Sequence, residues 1–174
     1  MSRATTNHSF APQGESDQSR IPVTMETRSA AQAFALVIGA TLVVAGIAGF
    51  FYNASFGTGD GTDRDAVLGI LDVNGWHNVV HVLTGTVGLA VSGAWDGSRV
   101  YALGFGAIYL VVALLGFVAG DGDEIFNLIP VNTEDNVLHL LIGFAGVGAG
   151  LATPPTPAPS TADADRGLTP PAPR

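Results

Sequence analysis

The sequence predicts an all-α fold, a four-span transmembrane helix bundle built from two duplicated helical hairpins with disordered termini. Three observations predict it. Of 174 residues, 47% are hydrophobic and 13% charged, with 23 glycines and a mean hydropathy of +0.37; that charged share is about half the roughly 25% of soluble domains. Four apolar runs without Asp, Glu, Lys or Arg are separated by polar loops. One stretch also occurs twice, as Val73-Asn74-Gly75-Trp76-His77-Asn78-Val79-Val80-His81-Val82-Leu83-Thr84-Gly85 and Val131-Asn132-Thr133-Glu134-Asp135-Asn136-Val137-Leu138-His139-Leu140-Leu141-Ile142-Gly143, both reading V-N-x-x-x-N-V-x-H-x-L-x-G.

Residues 1–28 mix Ser, Thr, Gln, Pro and Arg without periodicity and hold too little apolar area to offset ordering, so a disordered cytoplasmic tail is expected. Residues 30–52 are long enough to cross the hydrocarbon core and exceed a signal-peptide h-region. A Gly- and Asp-rich loop follows, carrying the sequon Asn53-Ala54-Ser55. The second span is expected over 76–95, with Trp76 and Trp95 at opposite interfaces. The turn Asp96-Gly97-Ser98-Arg99 leads to a third span over 100–120, antiparallel because the link is short. After an acidic loop the fourth span covers 136–152, closing a transmembrane domain of 29–153. The Pro-rich segment 154–174 is expected to be a second disordered cytoplasmic tail.

Arg28, Arg99, Arg166 and Arg174 fall on one side of such a bundle and Arg64 on the other, so the positive-inside rule makes both termini cytoplasmic in a multi-pass protein of the plasma membrane. The outward loops then carry nine of the 15 acids. A net charge of −8 with no lysine excludes nucleic-acid binding through a basic surface, which leaves the lipid bilayer as the partner, with a homo-oligomer or a membrane partner protein open to the glycine faces. Cysteine chemistry is excluded by the absence of cysteine. Gly57-Thr58-Gly59-Asp60-Gly61 lacks the P-loop lysine, and Asp60, Asp63 and Asp65 lack EF-hand spacing. No catalytic residue is assigned and no enzyme is predicted.

Polar and small positions of the repeat recur at four, three, four, three, four: Asn74, Asn78, His81, Gly85, Gly88, Ser92, and Asn132, Asn136, His139, Gly143, Gly146, Gly150. That spacing forms one helix stripe, and in lipid such a stripe should face protein. The expected geometry is spans two and four meeting across a pseudo-two-fold axis along the membrane normal, their Asn/His/Gly faces packed together. Leu42-Val43-Val44-Ala45 and Leu110-Val111-Val112-Ala113 extend the duplication to spans one and three at an offset of 68 rather than 58.

The structural reading makes Asn and His interhelical hydrogen-bonding groups and Gly a packing surface, in a non-enzymatic structural or accessory protein without cofactor. A metal reading uses His77, His81 and His139 with Asp135, because imidazoles four apart share a helix face; here only His81 and His139 repeat. A haem reading places the macrocycle between His81 and His139, and a transport reading uses both imidazoles as carriers of protons or cations. With its paired Asn/His/Gly motifs, the chain from about Ala30 to Ala152 resembles the small four-helix bacterial membrane proteins of the domain of unknown function 4383 family. The resemblance implies four spans and brings no assigned activity.

Overall fold

Ser29 fixes where the first helix begins. Its hydroxyl accepts from the Gln32 N–H while the Gln32 side chain accepts from the Ser29 N–H, and this capping box opens α1, Ala30–Tyr52. The structure, a computed structural model, describes residues 27–156; the tails expected over 1–28 and 154–174 lie outside these apart from their innermost positions. Three further helices follow, α2 Gly75–Val91, α3 Trp95–Ala119 and α4 Thr133–Ala152. Helices α1, α3 and α4 are long and apolar enough to cross a membrane. Val37, Val44, Leu83, Ile108 and Leu141 all stand exposed on the helices, an apolar exterior that suits lipid better than water.

The second and third helices divide the sequence differently from expectation. Helix α2 stops at Val91 and Trp95 opens α3, so Asp96-Gly97-Ser98-Arg99 is the first helical turn and not a loop. The chain reverses earlier because the Ser92 hydroxyl bonds back to Leu89 O and the Ala94 N–H to Val91 O, each at 2.9 Å. Asp96 then lies at a helix N-terminus, where its charge is favourable.

The loops also hold structure that an all-α reading omits. Strands β1 Asp65–Val67 and β2 Leu71–Val73 form one antiparallel hairpin, and β3 Asp123–Ile125 and β4 Ile129–Val131 a second. Their turns take positive φ at Leu68 and Gly69 (55° and 72°) and at Phe126 and Asn127 (both 55°). Each connection is three residues long, 68–70 and 126–128, and its first two residues are left-handed, a local twist that suits the right-handed twist of the flanking strands. Each hairpin leads straight into the next helix, so α2 and α4 both start at a strand end.

The expected packing of α2 on α4 is not what forms. The extensive interfaces are α1 with α2 and α3 with α4; the halves meet mainly through α1 with α3 and α4, while α2 and α4 barely approach. Helix partners are decided by glycines on α1 and α3 that complement the stripe. A Cβ on Gly85 would lie 2.7 Å from Gly39 O, and one on Gly39 2.9 Å from Gly85 O; Gly106 and Gly143 are matched in the same way, at 2.8 and 3.0 Å. Backbones this close exclude any side chain, and the contact is available only inside each hairpin of helices. These contacts align α1 with α3 at an offset of 67, from Gly39 to Gly106, and not at 68. Phe34, Tyr101, Phe105 and Tyr109 fill the centre.

Candidate functional site

The first asparagine of each copy is a helix cap. The Asn74 side-chain oxygen accepts from the His77 N–H at 3.0 Å, and that of Asn132 accepts from the Asp135 N–H at 2.8 Å. The amide ends reach across to the opposite hairpin: Asn74 donates to Leu128 O and Asn132 to Ile70 O, both at 2.7 Å. The two halves are clasped by a reciprocal exchange of hydrogen bonds.

The second asparagines work inside each half. Asn78 donates to Asn53 O at 2.8 Å, and its Oδ1 rests on Gly49 of α1. The Asn136 Oδ1 rests on Gly116 of α3. Neither Oδ1 has a hydrogen-bond partner among the described residues, and a Cβ on either glycine would collide with it. Along the rest of the stripe, Gly88 lies against Tyr101, Gly146 against Ala102 and Phe34, and Gly150 against Leu103, while Ser92 helps turn the chain. These residues are packing surface.

Three imidazoles converge at the hairpin end. His77 and His81 lie one turn apart on α2, their Nε2 atoms 3.1 Å from each other. His139 comes from α4, with ring centroids 6.1 Å from His77 and 6.5 Å from His81. One nitrogen from each of the three lies within 4.8 Å of the others. Tyr109 of α3 meets the His139 ring edge-on at 5.0 Å. His139 is 6% exposed, and its Nδ1 has no hydrogen-bond partner among the described residues.

His77, which the repeat does not duplicate, is the most tightly oriented of the three. Its Nδ1 lies 2.9 Å from Asp72 O, and because a carbonyl only accepts, Nδ1 carries the proton. In the neutral ring the Nε2 lone pair is then directed at the cluster. The residue at the matching position of the second copy, Asp135, does the converse: its Oδ2 accepts from the Asp72 N–H at 2.9 Å. The strand position that corresponds to Asp72 in the other hairpin is Pro130, which has no N–H to offer. The bond that Asp135 accepts therefore has no counterpart from the strand position matching Asp72.

A cavity of about 190 Å³ adjoins the cluster, lined by His77, His81, His139, Tyr109 and Asp135 at one end and elsewhere by Thr41 and apolar side chains. Outside it, Arg64 donates to Gly122 O and ties the two loops together. Partial burial raises the Asp72 carboxyl above the ordinary carboxylate range, and the Arg64 charge opposes that shift.

Sequence reasoning had each imidazole among its candidates but missed Tyr109, Asp72 and the turn carbonyls of Ile70 and Leu128. Tyr109 gives no signal inside an apolar run. The hairpins do give one, since the 58-residue offset continues backward through Val73 and Val131, Leu71 and Ile129, to Asp65 and Asp123. A family model described as a domain of unknown function (DUF4383) matches residues 32–152. Comparison with curated proteins and with solved structures gives no match.

Proposed function

This chain belongs to the DUF4383 family, a family of unknown function, and we propose that it is a four-span bacterial plasma-membrane protein that holds a divalent transition-metal ion between its two halves. The observation that carries the reading is the convergence of His77, His81 and His139 from two helices that otherwise barely touch. A tetrahedral ion with nitrogens about 2.0–2.1 Å away separates its donors by roughly 3.3 Å, close to the 3.1 Å between the Nε2 atoms of His77 and His81. His139 completes the set by a small movement of a ring whose Nδ1 is unrestrained. Three imidazoles suit Zn, Cu, Ni or Fe rather than Mg or Ca. A fourth position stays open toward the cavity, and Asp135 lines the same space.

In this reading the two halves are duplicated units of helix, β-hairpin and helix. Helix α2, with 17 residues, rises about 25 Å and makes the fourth span at the short end of the usual range. Both termini are cytoplasmic and the clasped hairpins face outward. The asparagines and glycines serve the scaffold that brings the imidazoles together, and the protein acts as a binding or accessory component. A haem between His81 and His139 suits the site poorly, because His77 occupies the space beside the His81 nitrogen.

The test is cobalt loading of chelator-stripped protein in detergent micelles. Stoichiometric uptake with the intense visible bands of a tetrahedral site is expected, lost in His77→Ala and His81→Ala and retained in His8→Ala. Circular dichroism of each variant checks that it has folded. Folded wild-type protein that takes up no cobalt, or His81→Ala taking up as much, would overturn the reading.

A further inference from the structure

The cavity beside the three imidazoles is built unlike a site filled from water. Its walls are Leu42, Ala45, Val67, Leu71, Leu138 and Ile142. Val67 and Leu71 belong to the first β-hairpin, which covers the cavity at the hairpin end. Thr41 and Ala45 on α1 and Leu138 on α4 also line it and are exposed, so it opens sideways along the α1–α4 seam. In a membrane that seam faces acyl chains. Small side chains at Thr41, Ala45 and Ala48, spaced four and three apart on one face of α1, keep the opening free.

A cavity of about 190 Å³ is slightly larger than the roughly 150 Å³ apolar cavity known to bind benzene. It holds one substituted six-membered ring. Apart from Thr41, whose hydroxyl donates to Val37 O, the polar groups sit at one end, so a ring that fits should carry one polar substituent. From the three imidazoles, the buried His139 with its unbonded Nδ1 and the Asp135 carboxyl, we infer that the cavity binds a membrane-dissolved monocyclic phenol or quinol head group. Its hydroxyl oxygen takes the open position on the metal, and its O–H donates to Asp135. This rests on the metal reading and names the ligand class for that site.

The experiment uses the full chain loaded with cobalt and titrated with 4-methylphenol, toluene serving as the isostere without a hydroxyl. The phenol should shift the visible cobalt bands and half-saturate at a concentration at least about tenfold below toluene, which can neither coordinate the ion nor donate a hydrogen bond. Ala45→Leu should narrow the seam, leaving cobalt uptake and its spectrum unchanged while weakening the phenol response by at least about tenfold. Asp135→Asn should weaken phenol more than toluene. A cobalt-loaded protein whose spectrum ignores 4-methylphenol, or one that binds toluene equally well, overturns this inference and leaves the metal site standing. An Ala45→Leu protein that responds like wild type shows that the ligand does not come through the seam and also overturns it. Failure to take up cobalt at all overturns both.

Discussion

Replacing Asn74 by alanine separates the clasp from ordinary capping. The Asn74 side chain is fully buried and makes two bonds, one from the His77 N–H and one to Leu128 O in the opposite hairpin. Losing an N-cap costs about 1 kcal/mol. Losing the cross-hairpin bond removes about another 1 kcal/mol, and leaving the Leu128 carbonyl short of a partner adds up to ~1–2 kcal/mol more. Asn74→Ala should therefore destabilise by about 2–4 kcal/mol. Asn74→Ser retains a capping oxygen but is too short to span the hairpins, so it isolates the clasp at about 1–3 kcal/mol. Asn132→Ala should cost less, because its amide bond is exposed. Equilibrium unfolding in mixed micelles, followed by tryptophan fluorescence, measures each difference. An Asn74→Ala protein within about 0.5 kcal/mol of wild type, the range of surface substitutions, would refute the reciprocal clasp, as would Asn74→Ser matching wild type.

Two further outcomes follow from the packing and the charges. Gly116→Ala places a Cβ against Asn136 Oδ1 and should destabilise by about 1–3 kcal/mol through overpacking; Asn136→Gly in the same chain should recover part of that, and Gly104→Ala, where a Cβ meets nothing, should be neutral or better. A thermal-unfolding series in which Gly104→Ala and Gly116→Ala behave alike would count against the assigned contact. At Asp72 the folded carboxyl is raised by burial, so folding disfavours its ionised form, and the associated stability is present at acid pH and lost as pH rises through the raised value. Asp72→Asn should remove that slope and leave the protein slightly more stable near neutrality, whereas a loss of stability there in unfolding curves at pH ~4 and ~7 would show the carboxylate to be favourably placed.

How much could be read in advance varied by element. Helix α1, Ala30–Tyr52, coincides with the run of about 30–52 that lacks a charged side chain. The break between α2 and α3 was misplaced at Asp96-Gly97-Ser98-Arg99, since turn composition also suits a first helical turn. The β-hairpins passed as loops: strands of three residues carry too short an alternation to stand out, although the repeat ran through them. His77 was set below His81 and His139 on grounds of symmetry, yet it is the imidazole with its ring fixed.

By itself the sequence determined the apolar helical character, the family, the stripe of asparagine, histidine and glycine, and the helix caps at Asn74 and Asn132. Each is a local property, set by side-chain chemistry and by spacing along one helix. Only the tertiary structure decided that the glycines pack α2 on α1 and α4 on α3, that the caps exchange partners, and that three imidazoles meet beside an apolar cavity. The physical reason is that a stripe records which face is buried and not what buries it; the partner is chosen by complementary backbone surfaces on other helices and by an N–H that Asp72 has and Pro130 lacks.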